Sequence, residues 1–513
     1  MSVSKDACVY LVGAGPGDAE LLTLKGKRLI EEADVIVYDQ LANARLLELA
    51  GQEARLVNVG KHAGNHTLPQ DEINALLVRE ASEAKTIVRL KGGDPFIFGR
   101  GGEEAQYLRE HGVRFEVVPG VTSAAAVPAY AGIPVTHRNE TATVTFITGH
   151  EAKEDISRIP WDALVATKGT LVFLMGLSNL ERIVETLMAH GADTTLPVAV
   201  ISHGTKGDQV TVEGTLFDIA KRVRERGVKT PALIVVGSVA DMRGELKWFE
   251  DKPLYGRRIL VTRERSQAAA FASELEKAGA VAQVTPLIRL EKKAAEIQRL
   301  QKRMTDGLNT DWIVFTSSNG VEIFMEALLE TERDVRIFQD VRIAAIGEKT
   351  KDALARYGLR ADCVPSEYRA ETLAGELLTR LTPASKVLLA RAYSGRPVLG
   401  ELLREAGHTV EEVSLYDTLT EHASKEALNA WMEEGGVLTL CSTSAVEAFF
   451  ELASDEALRA MKEDTGTRKK VTIAAIGPVT ERALLEHGMK ADIVPCVYTT
   501  EHMIEAIGKE KQD

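Results

Sequence analysis

The feature that most restricts how this chain can fold is an internal repeat in its second half. WIVFTSSNGVEIFMEAL (Trp312 to Leu328) matches VLTLCSTSAVEAFFEL (Val437 to Leu452), and AAIGEKTKDALARYGLRADCVPSEYRAETLAGEL (Ala344 to Leu377) matches AAIGPVTERALLEHGMKADIVPCVYTTEHMIEAI (Ala474 to Ile507). Each copy reads as a short apolar strand, a polar or glycine turn and an amphipathic helix, so the repeat predicts two related α/β lobes. KVLLARAYSGRPVLGELLREAGHTVEEVSLYDT (Lys386 to Thr418) runs between the copies. Lobe two is therefore expected over 291–417, and lobe one joins 257–290 to 418–508.

Both copies put hydroxyls at strand-to-helix turns: Thr316, Ser317 and Ser318 in one, Ser442, Thr443 and Ser444 in the other. The Ile-Gly turns at Gly347 and Gly477 add two more helix starts. Each hydroxyl alone is explained as a helix cap. Their pseudo-symmetric recurrence predicts four helix N-termini facing one anionic, multiply carboxylated ligand, with Arg391 and Arg396 as counter-ions.

The first half alternates strands and helices around KGGDPFIFGRGGEE (Lys91 to Glu104), five glycines about one aspartate after the apolar run TIVRL. Such a loop lets a ligand approach the backbone and precedes a helix with unpaired N–H groups. VYLVGAGPGDAELLTLKG (Val9 to Gly26) also follows a strand, but Pro16 removes a donor where pyrophosphate binding wants one, which argues against a dinucleotide. VTSAAAVPAYAGIP offers Thr122 and Ser123 at another helix start. A second series of strands begins near Thr143 and ends with PALIVVGSV, and the polar stretch 243–256 reads as a connector between halves.

At 513 residues the chain needs more than one core. A formal net charge of −13 argues against nonspecific nucleic-acid binding. No basic leader or membrane-length apolar run appears, so a cytoplasmic protein without membrane contact is expected. The four cysteines, Cys8, Cys363, Cys441 and Cys496, are scattered and predict neither a disulfide framework nor a metal site.

The motifs VGAGPGDAELLTLKG, VYDQLAN, VGKHAGNH, LKGGDPFIFGRGGEE and VPGVTSAAAVPAYAGIPVTHR make the first half, about residues 7–245, resemble the uroporphyrinogen-III C-methyltransferases of the tetrapyrrole methyltransferase family. The resemblance implies two α/β lobes over about 1–138 and 139–242, a homodimer, and S-adenosylmethionine as methyl donor without a metal. Position by position it implies cofactor contacts from Pro16, Gly92, Gly93, Asp94, Ile97, Thr122, Ser123, Met175 and Gly204, a proton acceptor at Asp39 and a proton donor at Lys61. The implied reaction methylates uroporphyrinogen III twice to precorrin-2, on the siroheme and cobalamin branch.

FTSSNGVE, VSLYDT and AIGPVTERAL, with the repeat, make the second half resemble uroporphyrinogen-III synthase. That resemblance implies a cofactor-independent, two-lobed enzyme that cyclises hydroxymethylbilane with inversion of ring D. Tyr416 would assist loss of the hydroxyl group, and Thr480 lies in a substrate-contacting turn. The product of the second half is the substrate of the first. The sequence thus predicts a bifunctional enzyme that stops at precorrin-2, since no further G-x-G-x-x-G unit occurs. The alternatives are an active methyltransferase with a noncatalytic tetrapyrrole-binding second half, a bilobed anion-binding protein, and methylation of another corrin intermediate.

Overall fold

The structure is a computed structural model that describes residues 7–39, 43–60, 68–149, 159–367, 369–463 and 470–510. The chain divides into two compact units, one built mainly on residues up to Ile259 and the other mainly on 260–506. It is α/β throughout.

The first unit opens with strands β1 (Cys8–Gly13), β2 (Val35–Tyr38), β3 (Arg55–Asn58), β4 (Thr86–Lys91) and β5 (Arg114–Val118). They form one parallel sheet in the order β3-β2-β4-β1-β5. Helices cover both faces, which is why β1 and β2 read as continuous apolar runs rather than alternating ones. Val9, Leu11, Ile36, Val37, Ile87, Val88 and Leu90 are completely buried. The C-terminal ends of β1, β4 and β5 lie side by side, the edge at which parallel α/β sheets hold ligands.

A second sheet follows, from β6 (Val144–Thr148), β7 (Thr170–Leu174), β8 (Pro197–Ser202), β9 (Val210–Thr215) and β10 (Ala232–Val236), ordered β6-β7-β10-β8-β9. Only β6 and β7 are parallel; β10 runs antiparallel to both neighbours, and β8 and β9 are antiparallel. The stretch 243–256, which reads as a connector, packs onto this unit. Phe249 and Leu254 are buried, the Trp248 indole donates to Ala129 O at 3.0 Å, and Arg243 donates to Ala131 O and pairs with Glu213 and Glu250. Two aromatic rings and a buried guanidinium supply what the charge-rich composition obscures.

The second unit carries two sheets. One joins β11 (Arg258–Val261), β12 (Val281–Val284), β18 (Gly436–Leu440) and β19 (Val471–Ala475) in the order β12-β11-β18-β19. The other joins β13 (Ile288–Lys292), β14 (Trp312–Phe315), β15 (Arg342–Ala345), β16 (Lys386–Ala392) and β17 (Thr409–Thr420) in the order β13-β17-β16-β14-β15. The repeat recurs in matching hydrogen bonds at β15 and β19. Ile343 N–H donates to Asp362 Oδ2 at 2.8 Å and Ile473 N–H to Asp492 Oδ2 at 2.9 Å; Ala345 N–H donates to Cys363 O and Ala475 N–H to Ile493 O, both at 2.9 Å. The chain enters one sheet on β13 and leaves on β17, and these two strands pair antiparallel from Ile288↔Thr420 to Lys292↔Tyr416.

Among the described residues no helix is long and apolar enough to cross a membrane, and no group of three or more His, Cys, Asp or Glu side chains could hold a metal ion.

Candidate functional sites

The first site is assembled where the loops after β1, β4 and β5 meet. Gly15 and Gly93 pair as an isolated antiparallel bridge, N–H to O at 3.2 and 2.7 Å, and both have positive φ, +77° and +68°. A side chain at either would be strained. Close approach governs Gly120, where a Cβ would overlap the Gly93 carbonyl and lie 2.7 Å from Gly13 Cα. Beside Gly93, by contrast, an added Cβ would meet only Ser123 N, at 3.8 Å. The loops are sealed against each other on one side and open at Gly93 and Ser123.

Asp94 does the sealing. Its Oδ1 accepts from Phe96 N–H at 2.8 Å and its Oδ2 from Gly120 N–H at 3.0 Å, tying the loop after β4 to the end of β5. Its carboxylate orders the loop from within. Ile97 sits in the same turn, half-buried, and Thr122 caps the helix Ser123–Tyr130 by accepting from Ala124 N–H at 3.3 Å. Pro16 lies in a loop held from several sides. Asn43 Nδ2 donates to Gly17 O at 2.7 Å, Asp18 N–H donates to Thr205 Oγ1 at 3.0 Å, and Tyr130 Oη donates to Asp18 Oδ2 at 2.7 Å. The Thr205 contact brings the Gly204 turn against the Pro16 loop, and at Gly204 a Cβ would collide with Val127. Met175 follows β7 with φ +56° and is 49% exposed. Phe98, Arg100, His203 and Thr205 share its left-handed backbone, so the positive-φ non-glycine residues of this unit gather largely on the loops named here. Strain of this kind collects at ligand sites.

Asp39 emerges at the end of β2 and reaches a buried charge network. Arg89 Nη2 pairs with Asp39 Oδ2 at 3.1 Å, while Arg89 Nε meets Glu104 Oε1 at 3.2 Å. Lys91 Nζ donates to the same Glu104 oxygen at 2.7 Å, and Gln70 Nε2 at 3.2 Å. Glu104 is 0% exposed. Its other oxygen, Oε2, is buried with no hydrogen-bond partner among the described residues. Burial and the neighbouring Arg89 hold the Lys91 ammonium below the usual lysine range, against the pull of Glu104. Lys91 and Glu104 flank the glycine loop, one before it and one after. Lys61 lies outside the described residues.

The second site lies at the strand ends of the second unit. Ser317 and Ser442 cap the helices Ser318–Leu329 and Thr443–Leu452, accepting from Gly320 N–H at 2.9 Å and Ala445 N–H at 3.1 Å. Ser318 and Ser444 occupy the first turns of those helices. Gly347 and Gly477 stand at the N-caps of Glu348–Arg356 and Pro478–Glu486 in extended conformation, and Thr480 is buried in the second of these helices. Tyr498 lies over Gly477. Thr350 occupies the matching position in the first copy and is equally buried, a correspondence the aligned repeats contain.

Tyr416 is 4% exposed, and its hydroxyl lies 2.8 Å from Ser317 Oγ. Burial pushes the phenol above its usual range, so it stays protonated at neutral pH. A register shift between Arg391 and Ala392, where Ala392 pairs with Tyr416, accompanies this placement; such bulges re-aim side chains.

Arg391 departs from expectation. Its guanidinium donates to the carbonyls of Ala392, Tyr393, Gly395 and Arg396 and pairs with Glu412 at 2.9 Å. At 8% exposure it organises the turn after β16 instead of presenting a free counter-ion. Arg396 is exposed and pairs with Glu371 at 3.3 Å. The buried network around Glu104 was not readable as such. Lys, Arg and Glu in one stretch look like solvated charges, and only the alternation that places Arg89 and Lys91 with buried Ile87 hints otherwise.

Comparison with known proteins gives two family matches. The tetrapyrrole (corrin/porphyrin) methylases match over residues 8–220 and uroporphyrinogen-III synthase over residues 269–505. The chain is 34% identical over 484 residues to the porphyrin biosynthesis protein HemD of Ruminiclostridium josui, covering 94% of each. Uroporphyrinogen-III C-methyltransferase of Bacillus subtilis is 40% identical over 73% of this chain and 76% of its own. The S-adenosyl-L-methionine-dependent uroporphyrinogen III methyltransferase of Methanosarcina barkeri is 57% identical over 46% of this chain and 94% of its own. A crystal structure of uroporphyrin-III C-methyl transferase from Thermus thermophilus with S-adenyl homocysteine is 40% identical and covers 46% of this chain and 99% of its own, at a TM-score of 0.40. The chain belongs to the tetrapyrrole methylases by its first half and to the uroporphyrinogen-III synthases by its second, a fusion of two enzyme families of tetrapyrrole biosynthesis.

Proposed function

We propose that the chain catalyses two successive steps: the second half (257–513) cyclises hydroxymethylbilane to uroporphyrinogen III, and the first (1–242) methylates that product twice to give precorrin-2. The observation that carries this reading is the pairing of families in one chain, because the product in the name of the second half's family is the acceptor in the names of methyltransferases similar to the first half.

S-adenosylmethionine, when bound, supplies an already activated methyl group. The opening at Gly93 and Ser123 suits a ligand lying against backbone, and Pro16, Gly92, Ile97, Thr122, Met175 and Gly204 sit on the surrounding loops. Asp94 supports that cradle from inside. The chain's own task is to orient the electron-rich pyrrole carbon and remove its proton. In this reading Asp39, which pairs with Arg89, accepts that proton and Lys61 acts as donor. In the synthase half the protonated Tyr416 assists departure of the hydroxyl group while Ser317, Ser318, Ser442, Ser444, Gly347, Gly477 and Thr480 line helix starts that hold the carboxylates. The reading includes a cytoplasmic homodimer working without a metal.

The test is to supply hydroxymethylbilane anaerobically, with and without S-adenosylmethionine, and identify the tetrapyrroles. Uroporphyrinogen III without donor and its dimethylated product with donor are expected. Accumulation of only the type I isomer, as spontaneous closure gives, would reduce the second half to a binding module.

A further inference from the structure

Thr205, in the turn between β8 and β9, is a β-branched residue held at φ +69°, a backbone conformation that costs such a residue free energy. Its Oγ1 accepts from Asp18 N–H at 3.0 Å, and a Cβ at Gly17 would come within 2.9 Å of the same oxygen, so the turn is seated directly on the Pro16 loop. Its own N–H donates to Gln209 Oε1 at 3.0 Å. Thr205 and Gln209 are 3% and 2% exposed, so water does not compete for that bond.

The orientation of the Gln209 amide follows from chemistry. A backbone N–H only donates, so Gln209 gives Thr205 its carbonyl and turns its NH2 the other way. That NH2 donates to Glu250 Oε1 at 3.0 Å, an oxygen that also accepts from Thr211 Oγ1 at 2.8 Å. Glu250 is fixed in turn by Arg243, whose Nη2 lies 2.6 Å from Oε2 while Nε pairs with Glu213 at 3.1 Å and Nη1 donates to Ala131 O at 3.1 Å. A continuous tie therefore runs from Arg243 through Glu250, Gln209 and Thr205 to Asp18, with one donor and one acceptor of fixed identity at every link. Its far end lies in the stretch 243–256, on none of the loops that form the opening at Gly93 and Ser123.

We propose that Gln209 and Glu250 are positioning residues of the methyltransferase half: acting through Thr205, they hold the Gly204 turn against the Pro16 loop before S-adenosylmethionine arrives. The inference rests on the reading of these loops as the S-adenosylmethionine site. Without the tie the strained Thr205 turn relaxes in the free protein and has to be re-formed on binding. Apparent affinity then falls in proportion to the fraction of molecules in which the turn is formed.

Reciprocal exchange in the full chain tests it. Gln209→Glu still accepts from Thr205 N–H but sets a carboxylate against Glu250. Glu250→Gln can give its carbonyl to Arg243 only by setting its NH2 against that of Gln209. The double variant Gln209→Glu/Glu250→Gln puts a donor opposite an acceptor at every link again and keeps the wild-type net charge. In calorimetry with S-adenosylmethionine, each single variant is expected to raise Kd roughly five- to thirtyfold, the scale of one misdirected buried hydrogen bond, and the double to return to within about threefold of wild type. At saturating donor, kcat and KM for uroporphyrinogen III should stay near wild type, a split that general loosening of the fold would not produce.

Single variants with the wild-type Kd, or a folded double variant that binds no better than the singles, would overturn the inference. If a single variant fails to fold, the double decides alone: wild-type affinity supports the tie, and weakened affinity or failure to fold overturns it. Absence of S-adenosylmethionine binding to the wild-type chain would refute the cofactor reading itself.

Discussion

Replacing Glu104 by alanine tests the buried charge network most directly. Its Oε1 receives Lys91 at 2.7 Å, Arg89 at 3.2 Å and Gln70 at 3.2 Å, so the substitution leaves two buried cations with Asp39, itself 26% exposed, as the remaining carboxylate of the network. Removing one partner of a buried ion pair costs about 3–5 kcal/mol, since the survivor stays desolvated. Oε2 has no partner among the described residues, so its removal returns part of a desolvation cost and places the expected loss at the lower end, about 3 kcal/mol. At roughly 2–4 °C per kcal/mol for a domain of this size, the melting transition of the first unit should fall by about 6–12 °C. Glu104→Gln, which keeps the acceptor at Oε1, should lose less.

Thermal melts, with hydrogen exchange at the β4 amides as the local probe, measure both variants. The pH profile adds a signature. The Lys91 pKa is lowered in the folded protein, so between that value and the ordinary lysine value the unfolded chain binds more protons and stability rises with pH. Without Glu104 the folded value drops further, and the rise should begin at lower pH. A Glu104→Ala protein melting within about 2 °C of wild type, with an unchanged pH profile, would refute the reasoning.

Gly120→Ala forces a Cβ into the Gly93 carbonyl, where only backbone can yield. An overpacking cost of about 1–3 kcal/mol should appear as weaker S-adenosylmethionine binding by calorimetry with synthase activity intact; wild-type affinity would disconnect these loops from the cofactor. Asp94→Ala removes both bonds that tie Phe96 and Gly120 together, and should weaken binding in the same assay. Equal loss of both activities would point to misfolding instead. Arg391→Lys cannot reproduce the multiple carbonyl contacts of the guanidinium, and should lower stability without a selective rise in KM for hydroxymethylbilane. A tenfold KM increase at unchanged stability would restore Arg391 as a substrate contact.

The lobes of the second half were readable because repetition is a long-range signal written in local form. The Ile-Gly turns and serine caps sit where the pattern puts them, since a cap is satisfied within a few residues. Pairings between distant segments were not readable. Nothing local tells Arg391 to curl back on Gly395 and Glu412 instead of facing outward, or joins Gln267 to Asn319. Asp94 shows an intermediate case: the motif marks it for the cofactor site, while the geometry gives its oxygens to the Phe96 and Gly120 amides. A sequence shows which residue stands at a loop, but the direction of its side chain depends on partners contributed by other loops.

The antiparallel pairing of β13 with β17 has a mechanical consequence. The two chain crossings that connect the lobes are zipped edge to edge over Ile288–Lys292 and Tyr416–Thr420. Two separate strands of chain would act as tethers and permit rotation about any axis. A two-stranded ribbon behaves as a leaf spring: it flexes easily normal to its own plane, while in-plane shear must break ladder hydrogen bonds. Opening of the lobes is thereby confined to one soft direction, and because Tyr416 lies within the ribbon, that flexing carries the hydroxyl with the hinge.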